Sequence, residues 1–116
     1  MSDISIYHNP RCSKSRQTLA LLEQQGIQAN IIEYLKAPPS ADTLTTIISQ
    51  LDITPRQLLR KSEAIYKELN LKDDSLSDEQ LIQAMVDHPK LIERPIVIHN
   101  GKAKIGRPPE SVLEIL

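Results

Sequence analysis

Two hydrophobic periods alternate along the chain. Ile4, Ile6 and Tyr7 make a short apolar run of strand type, and His8-Asn9-Pro10 is turn chemistry that stops it. From about Ser13 the period lengthens. Leu19, Leu22 and, loosely, Ala20 share one face with Gln and Glu opposite, which predicts a helix ending where Gly26 can serve as its C-terminal cap. Residues 29–34 are β-branched and mostly apolar and predict a second strand. A strand, a crossover helix and a second strand make a βαβ unit, so the two strands should be parallel.

Ala37-Pro38-Pro39-Ser40 breaks the pattern. Ser40 or Asp42 can cap a helix whose apolar positions are Leu44, Ile47, Ile48 and Leu51. Thr54 as N-cap with Pro55 at the first helical position opens a shorter helix bearing Leu58 and Leu59. Residues 65–69 form a further helical piece. Ser77 with Gln80 reads as a capping box ahead of Leu81, Ile82, Met85 and Val86, and His88-Pro89 ends that helix. Strand character returns at Ile96-Val97-Ile98-His99. Asn100-Gly101 is a strong two-residue hairpin signal, so Lys102-Ala103-Lys104-Ile105 should return antiparallel. Arg107-Pro108-Pro109-Glu110 then opens a last helix with Val112, Leu113 and Leu116 on its apolar side. The expected layout is one domain, residues 1–116: βαβ, a helical insertion at about 38–88, then ββα.

Composition narrows the possibilities. At 116 residues the chain has the length of one domain. It has no Phe or Trp and three Tyr, so its core must come from Leu, Ile, Val and Ala. A net charge of −1 gives no overall field towards nucleic acid or membrane, and neither is expected as a partner. No apolar run is long enough to span a bilayer, and no signal-peptide pattern is present. The single cysteine, Cys12, cannot form an internal disulfide, which fits a reducing cytoplasm. A redox cycle through it must take its second thiol from another molecule.

Cys12 falls where a strand ends and a helix begins. N–H groups of a first helical turn lack intrahelical partners, and the peptide dipoles place partial positive charge there. A thiolate at that point is stabilised below the free thiol value of about 8.5. Arg11, Lys14 and Arg16 add cations, His8 can add another as an imidazolium, and Ser13 or Ser15 can donate to the sulfur. The same donors suit an oxyanion. The bland alternative is a buried cysteine acting as a small hydrophobe, but none of its sequence neighbours is apolar.

Tyr7-His8-Asn9-Pro10-x-Cys12-x-x-Ser15-Arg16 resembles the active-site loop of the glutaredoxin-coupled arsenate reductases. Pro38-Pro39, Leu58-Leu59-Arg60-Lys61, His88-Pro89, Ile92-x-Arg94-Pro95-Ile96-Val97 and Gly106-Arg107-Pro108 follow in the same order as in that family. The resemblance spans essentially the whole chain. It implies an α/β, thioredoxin-like fold with a four-stranded mixed sheet and a cis bond between Arg94 and Pro95. It also implies roles: Cys12 as nucleophile, His8 and Ser15 tuning its thiolate, and Arg60, Arg94 and Arg107 holding the arsenate oxyanion. Guanidinium forks match such oxygens bidentately. Six arginines are present, and spacing alone does not say which converge.

The implied reaction forms a thiol–arsenate adduct at Cys12, with glutathione as co-substrate and glutaredoxin as reducing partner. No bound cofactor is expected, and the protein should act as a monomer. One cysteine and scattered histidines offer no zinc spacing, so no metal is expected. His88 reads as a helix-end residue and His99 as a hairpin flank. The loop departs from better-known arsenate reductases at Arg11, Ser13 and Lys14, where those enzymes carry small residues. Two other functions share the fold: a glutathione-linked thiol oxidoreductase for another substrate, and a non-catalytic regulator resembling the Spx-type proteins that bind RNA polymerase.

Overall fold

The computed structural model describes residues 4–116. Contacts divide the described residues into two compact units, one of residues 4–37 with 94–116 and one of residues 38–93.

The first unit is built on a four-stranded sheet in the order β2-β1-β3-β4. Strand β1 (Ile4–Tyr7) pairs in parallel with β2 (Asn30–Ile32) and antiparallel with β3 (Ile96–His99), which pairs antiparallel with β4 (Lys102–Ile105). The β1–β2 crossover is helix α1 (Ser13–Gln24). Its end is a Schellman cap. Gly26 takes φ +76, its N–H bonds Glu23 O at 3.0 Å, and Ile27 N–H bonds Leu22 O at 3.0 Å. At the hairpin tip Asn100 and Gly101 have φ of 51 and 75, the geometry of a type I′ turn. Ile4 and Ile6 alternate onto one sheet face with Val97, where they meet Leu22 of α1 and Val112 of a C-terminal 3-10 helix (Pro109–Ile115). These five residues form the buried centre of the unit. Burying an aliphatic side chain of this kind contributes about 1.5–3 kcal/mol.

Two expectations differ here. Strand β2 is shorter than residues 29–34, because Lys36 and Ala37 N–H both bond Glu33 O and fold the segment after Ile32 into a turn. Tyr34 is 1% exposed within that turn, so its apolar character reflects burial and not strand pairing. The last helix is 3-10, with Ser111 N–H on Pro108 O.

The second unit is helical. Helix α2 (Ala41–Leu51) is capped by Ser40, whose hydroxyl accepts from Thr43 N–H at 3.1 Å. Thr54 and Gln57 form a full capping box on α3 (Pro55–Leu58), as do Ser77 and Gln80 on α5 (Asp78–Asp87). Helix α4 (Ala64–Glu68) lies between them in sequence, and a 3-10 turn (Pro89–Leu91) follows α5. Leu44, Leu58, Leu81, Met85 and Leu91 are fully enclosed. The unit extends past the expected residue 88 to residue 93. Leu59 bridges Ile92, Glu93 N–H bonds Leu58 O, and Arg60 N–H bonds Leu91 O, so the segment after α5 is tied back to α3.

Candidate active site

The loop from His8 to Cys12 is held by its own backbone. His8 N–H extends the β1–β2 ladder to Ile32 O at 2.8 Å, and Cys12 N–H closes a turn on Asn9 O at 3.0 Å. The Asn9 side chain accepts from Arg11 N–H at 3.0 Å, an Asx turn that fixes the approach to the helix. Cys12 is then the N-cap of α1, with extended φ −94 and ψ 123, and its carbonyl accepts from Arg16 N–H.

Four influences act on the Cys12 sulfur. Burial pushes the thiol pKa up, since the residue is only 9% exposed. The backbone N–H of Ser15, the hydrogen bond and charge of Arg94, and the backbone N–H of Lys14 outweigh it, and the thiol is held below its ordinary value. The two first-turn amides act without forming a cap hydrogen bond of ordinary geometry to the thiol. Arg107 reaches the same atom, with Nη2 at 3.5 Å from Sγ, while its Nε donates to Arg94 O at 2.8 Å.

Hairpin register explains why these two arginines converge. Ile96 pairs with Ile105, so Arg94 and Arg107 each stand two residues outside the last pair, on facing chains. The bonds Arg94-Pro95 and Arg107-Pro108 are both cis, where the resemblance implied only the first.

His8 and Ser15 form a buried pair behind the loop. His8 Nδ1 lies 2.6 Å from Ser15 Oγ, which also accepts from Asn9 N–H at 3.0 Å. Burial lowers the His8 pKa, the charge of Glu33 opposes this, and that of Arg16 adds to it. The imidazole is therefore neutral at pH 7, where the sequence allowed an imidazolium beside the thiol. Enclosure causes the difference. Ser15 likewise acts on the sulfur through its backbone N–H, its hydroxyl being engaged by His8 and Asn9.

Arg60 belongs to the helical unit, where Nη1 is 2.9 Å from Glu93 and Nε 3.7 Å from Glu63. Arg16 caps the carbonyl of Pro10 from Nη1, and Arg11 and Ser13 are exposed. His99 at the end of β3 is hydrogen-bonded through Nδ1 to Ile115 O at 2.6 Å. Asn9 is a contributor that motif reading treated only as a turn former. The Asn-Pro-Arg pattern, with a short acceptor two residues before a needed N–H, was its signal.

The arrangement suits attack by a thiolate on an electrophile that carries negative oxygens, because two guanidiniums meet the nucleophile itself. The ArsC family pattern matches residues 7–115. The chain is 59% identical to the uncharacterised protein YfgD of Escherichia coli K12, over 97% of this chain and 96% of that one. It is 54% identical to an arsenate reductase of Haemophilus influenzae, over 97% and 98% of the two chains. Among solved structures, an arsenate reductase from Vibrio cholerae superposes with a TM-score of 0.96 at 58% identity, over 97% of each chain.

Proposed function

This chain belongs to the ArsC family, and on that premise we propose that it reduces arsenate to arsenite through Cys12. The observation that supports this is the meeting of Arg94 and Arg107 at a thiol of lowered pKa on the N-cap of α1. Arsenate is a tetrahedral anion, and guanidinium groups fixed at the nucleophile neutralise the oxygens while leaving the sulfur its approach to arsenic.

In the proposed cycle the Cys12 thiolate attacks arsenic(V), and one oxygen, protonated, leaves as water. A glutathione thiol then attacks the adduct, because the chain has no second cysteine. That glutathione displaces a second arsenic oxygen as water. The glutaredoxin thiolate then takes the glutathionyl group as a mixed disulfide and leaves the bonding pair on arsenic. Hydrolysis frees arsenite from Cys12, and a second glutathione releases glutaredoxin. Arsenic gains two electrons, and two glutathione thiols lose them as they become a disulfide. Arg94 and Arg107 bind and orient the oxyanion. The His8–Ser15 pair orders the loop that presents the thiolate and the first-turn amides. Arg60 enters as a third oxyanion ligand by sequence resemblance. Its Ala variant should raise the arsenate KM, and an unchanged KM would remove it. The working unit in this reading is a cytoplasmic monomer without a bound cofactor.

The test is arsenate-dependent NADPH oxidation in the presence of glutathione, glutaredoxin and glutathione reductase, for the wild type and Cys12→Ser. Turnover that disappears in the variant is the expected result. A wild type without turnover, whose Cys12 still alkylates as an acidic thiol, would transfer the assignment to a glutathione-linked reductase of another substrate.

A further inference from the structure

Gly106 sits where β4 leaves the sheet, one residue before Arg107. Its φ lies outside the left-handed region, so backbone freedom does not require glycine there. Space does. A Cβ at 106 would overlap Oγ1 of Thr18 on α1, and it would stand 2.8 Å from Pro95 Cγ and 3.1 Å from Thr18 Cγ2. Neither neighbour can swing aside. Thr18 is fully buried and β-branched, and its Oγ1 donates to Lys14 O at 2.8 Å. Pro95 is a ring, and its carbonyl accepts the Gly106 N–H at 2.9 Å.

The same helix that brings Thr18 to this contact begins with Cys12. Residue 106 therefore rests directly on the element that carries the nucleophile, and residue 107 supplies a guanidinium to it. We propose that the side-chain-free contact of Gly106 with Thr18 is a positioning element, which sets the reach of Arg107 to the Cys12 sulfur and to an oxyanion bound beside it. Arg107 has little slack to absorb a shift. Its N–H bonds Ile105 O at 2.9 Å, its Nε bonds Arg94 O at 2.8 Å, and its Nη2 meets Sγ at 3.5 Å. A planar fork held at two ends passes a backbone displacement to both. Misplacement by about 1 Å can cost on the order of 100-fold in a catalytic step.

The oxyanion half of this proposal rests on the reading of arsenate as substrate; the sulfur half does not. The experiment measures iodoacetamide alkylation of Cys12 against pH, and protection from it by added arsenate, in the wild type, Gly106→Ala and the double variant Gly106→Ala with Thr18→Ala. Gly106→Ala should raise the alkylation midpoint and weaken arsenate protection by about tenfold. The double variant removes both Thr18 atoms that the new Cβ meets but leaves Pro95 Cγ at 2.8 Å, and should recover part of each loss. A folded Gly106→Ala with wild-type midpoint and protection overturns the proposal. Should Gly106→Ala not fold, Thr18→Ala alone decides. It leaves Gly106 without its stop, so weaker protection with cooperative unfolding retained supports the proposal and unchanged protection overturns it. A wild type that arsenate does not protect counts against the substrate reading only, and the alkylation midpoints still decide the positioning role.

Discussion

Cys12 and Arg107 stand 95 positions apart in the chain and meet at 3.5 Å between Sγ and Nη2. The contact is made by the sheet. Strand β1 leads into the cysteine loop, β3 pairs with β1, and β4 returns beside β3 to deliver Arg107. The far end of the chain is therefore needed to complete a nucleophile near its start.

Arg107→Lys should not be a conservative change. Lysine keeps the charge but has one compact head, and cannot hold the Arg94 carbonyl while reaching the sulfur. Removing a donor of this kind from a reacting oxyanion costs about 100-fold in kcat. The lysine variant should lose at least about tenfold in kcat/KM for arsenate. Wild-type kinetics in Arg107→Lys would show that the two-ended geometry is dispensable.

The Cys12 thiol should alkylate with a midpoint below that of an ordinary cysteine thiol. Arg94 contributes both a hydrogen bond and a charge to the sulfur, so Arg94→Ala should move that midpoint upwards. The measurement is the iodoacetamide rate as a function of pH. A wild-type midpoint at or above the free value would mean that burial wins over the donors.

His8 gives stability a pH dependence of defined sign. Its folded pKa lies below the ordinary 6.5, so as pH falls past that value the unfolded chain takes up the proton first. Stability attributable to His8 is full above 6.5, declines as pH falls towards the lowered folded value, and levels off beneath it. Urea midpoints at pH 7 and pH 5 should fall further for the wild type than for His8→Asn. Equal losses in the two proteins would mean that His8 ionises alike in folded and unfolded chains.

Gly26→Ala separates backbone strain from crowding. Among the described residues, no atom beyond its own chain neighbours lies within 4 Å of a Cβ built there, yet φ is +76. The expected cost is about 1 kcal/mol of stability, seen in denaturant midpoints, with the Cys12 alkylation profile unchanged. An altered thiol profile would show that the end of α1 is coupled to its beginning.

Much of this arrangement is legible in local chemistry. The change from period two to helical period on either side of Cys12 places it at a helix start, and Asn100-Gly101 specifies the hairpin. The convergence of Arg94 and Arg107 is not visible in their spacing, but it is implicit in that hairpin. Once a two-residue turn is fixed, Ile96 faces Ile105 and the arginines two steps outside must face each other. The charge state of His8 is of another kind. It depends on enclosure and on Glu33 and Arg16, and no local pattern records how deeply a loop histidine is buried. Tyr34 misleads for the same reason, being apolar because it is covered in a turn and not because it extends a strand. The 3-10 form of the last helix is a matter of a few tenths of a turn that hydrophobic periodicity does not resolve.

The turn at Asn100-Gly101 makes no contact with the sulfur, yet it limits how the chain can change in length. Surface turns ordinarily accept extra residues as sequences diverge. A slip of one residue along β4 would exchange its two faces and carry Arg107 away from Arg94 and Cys12. Insertions and deletions at this tip should therefore be as scarce among functional descendants as replacements of the arginine itself.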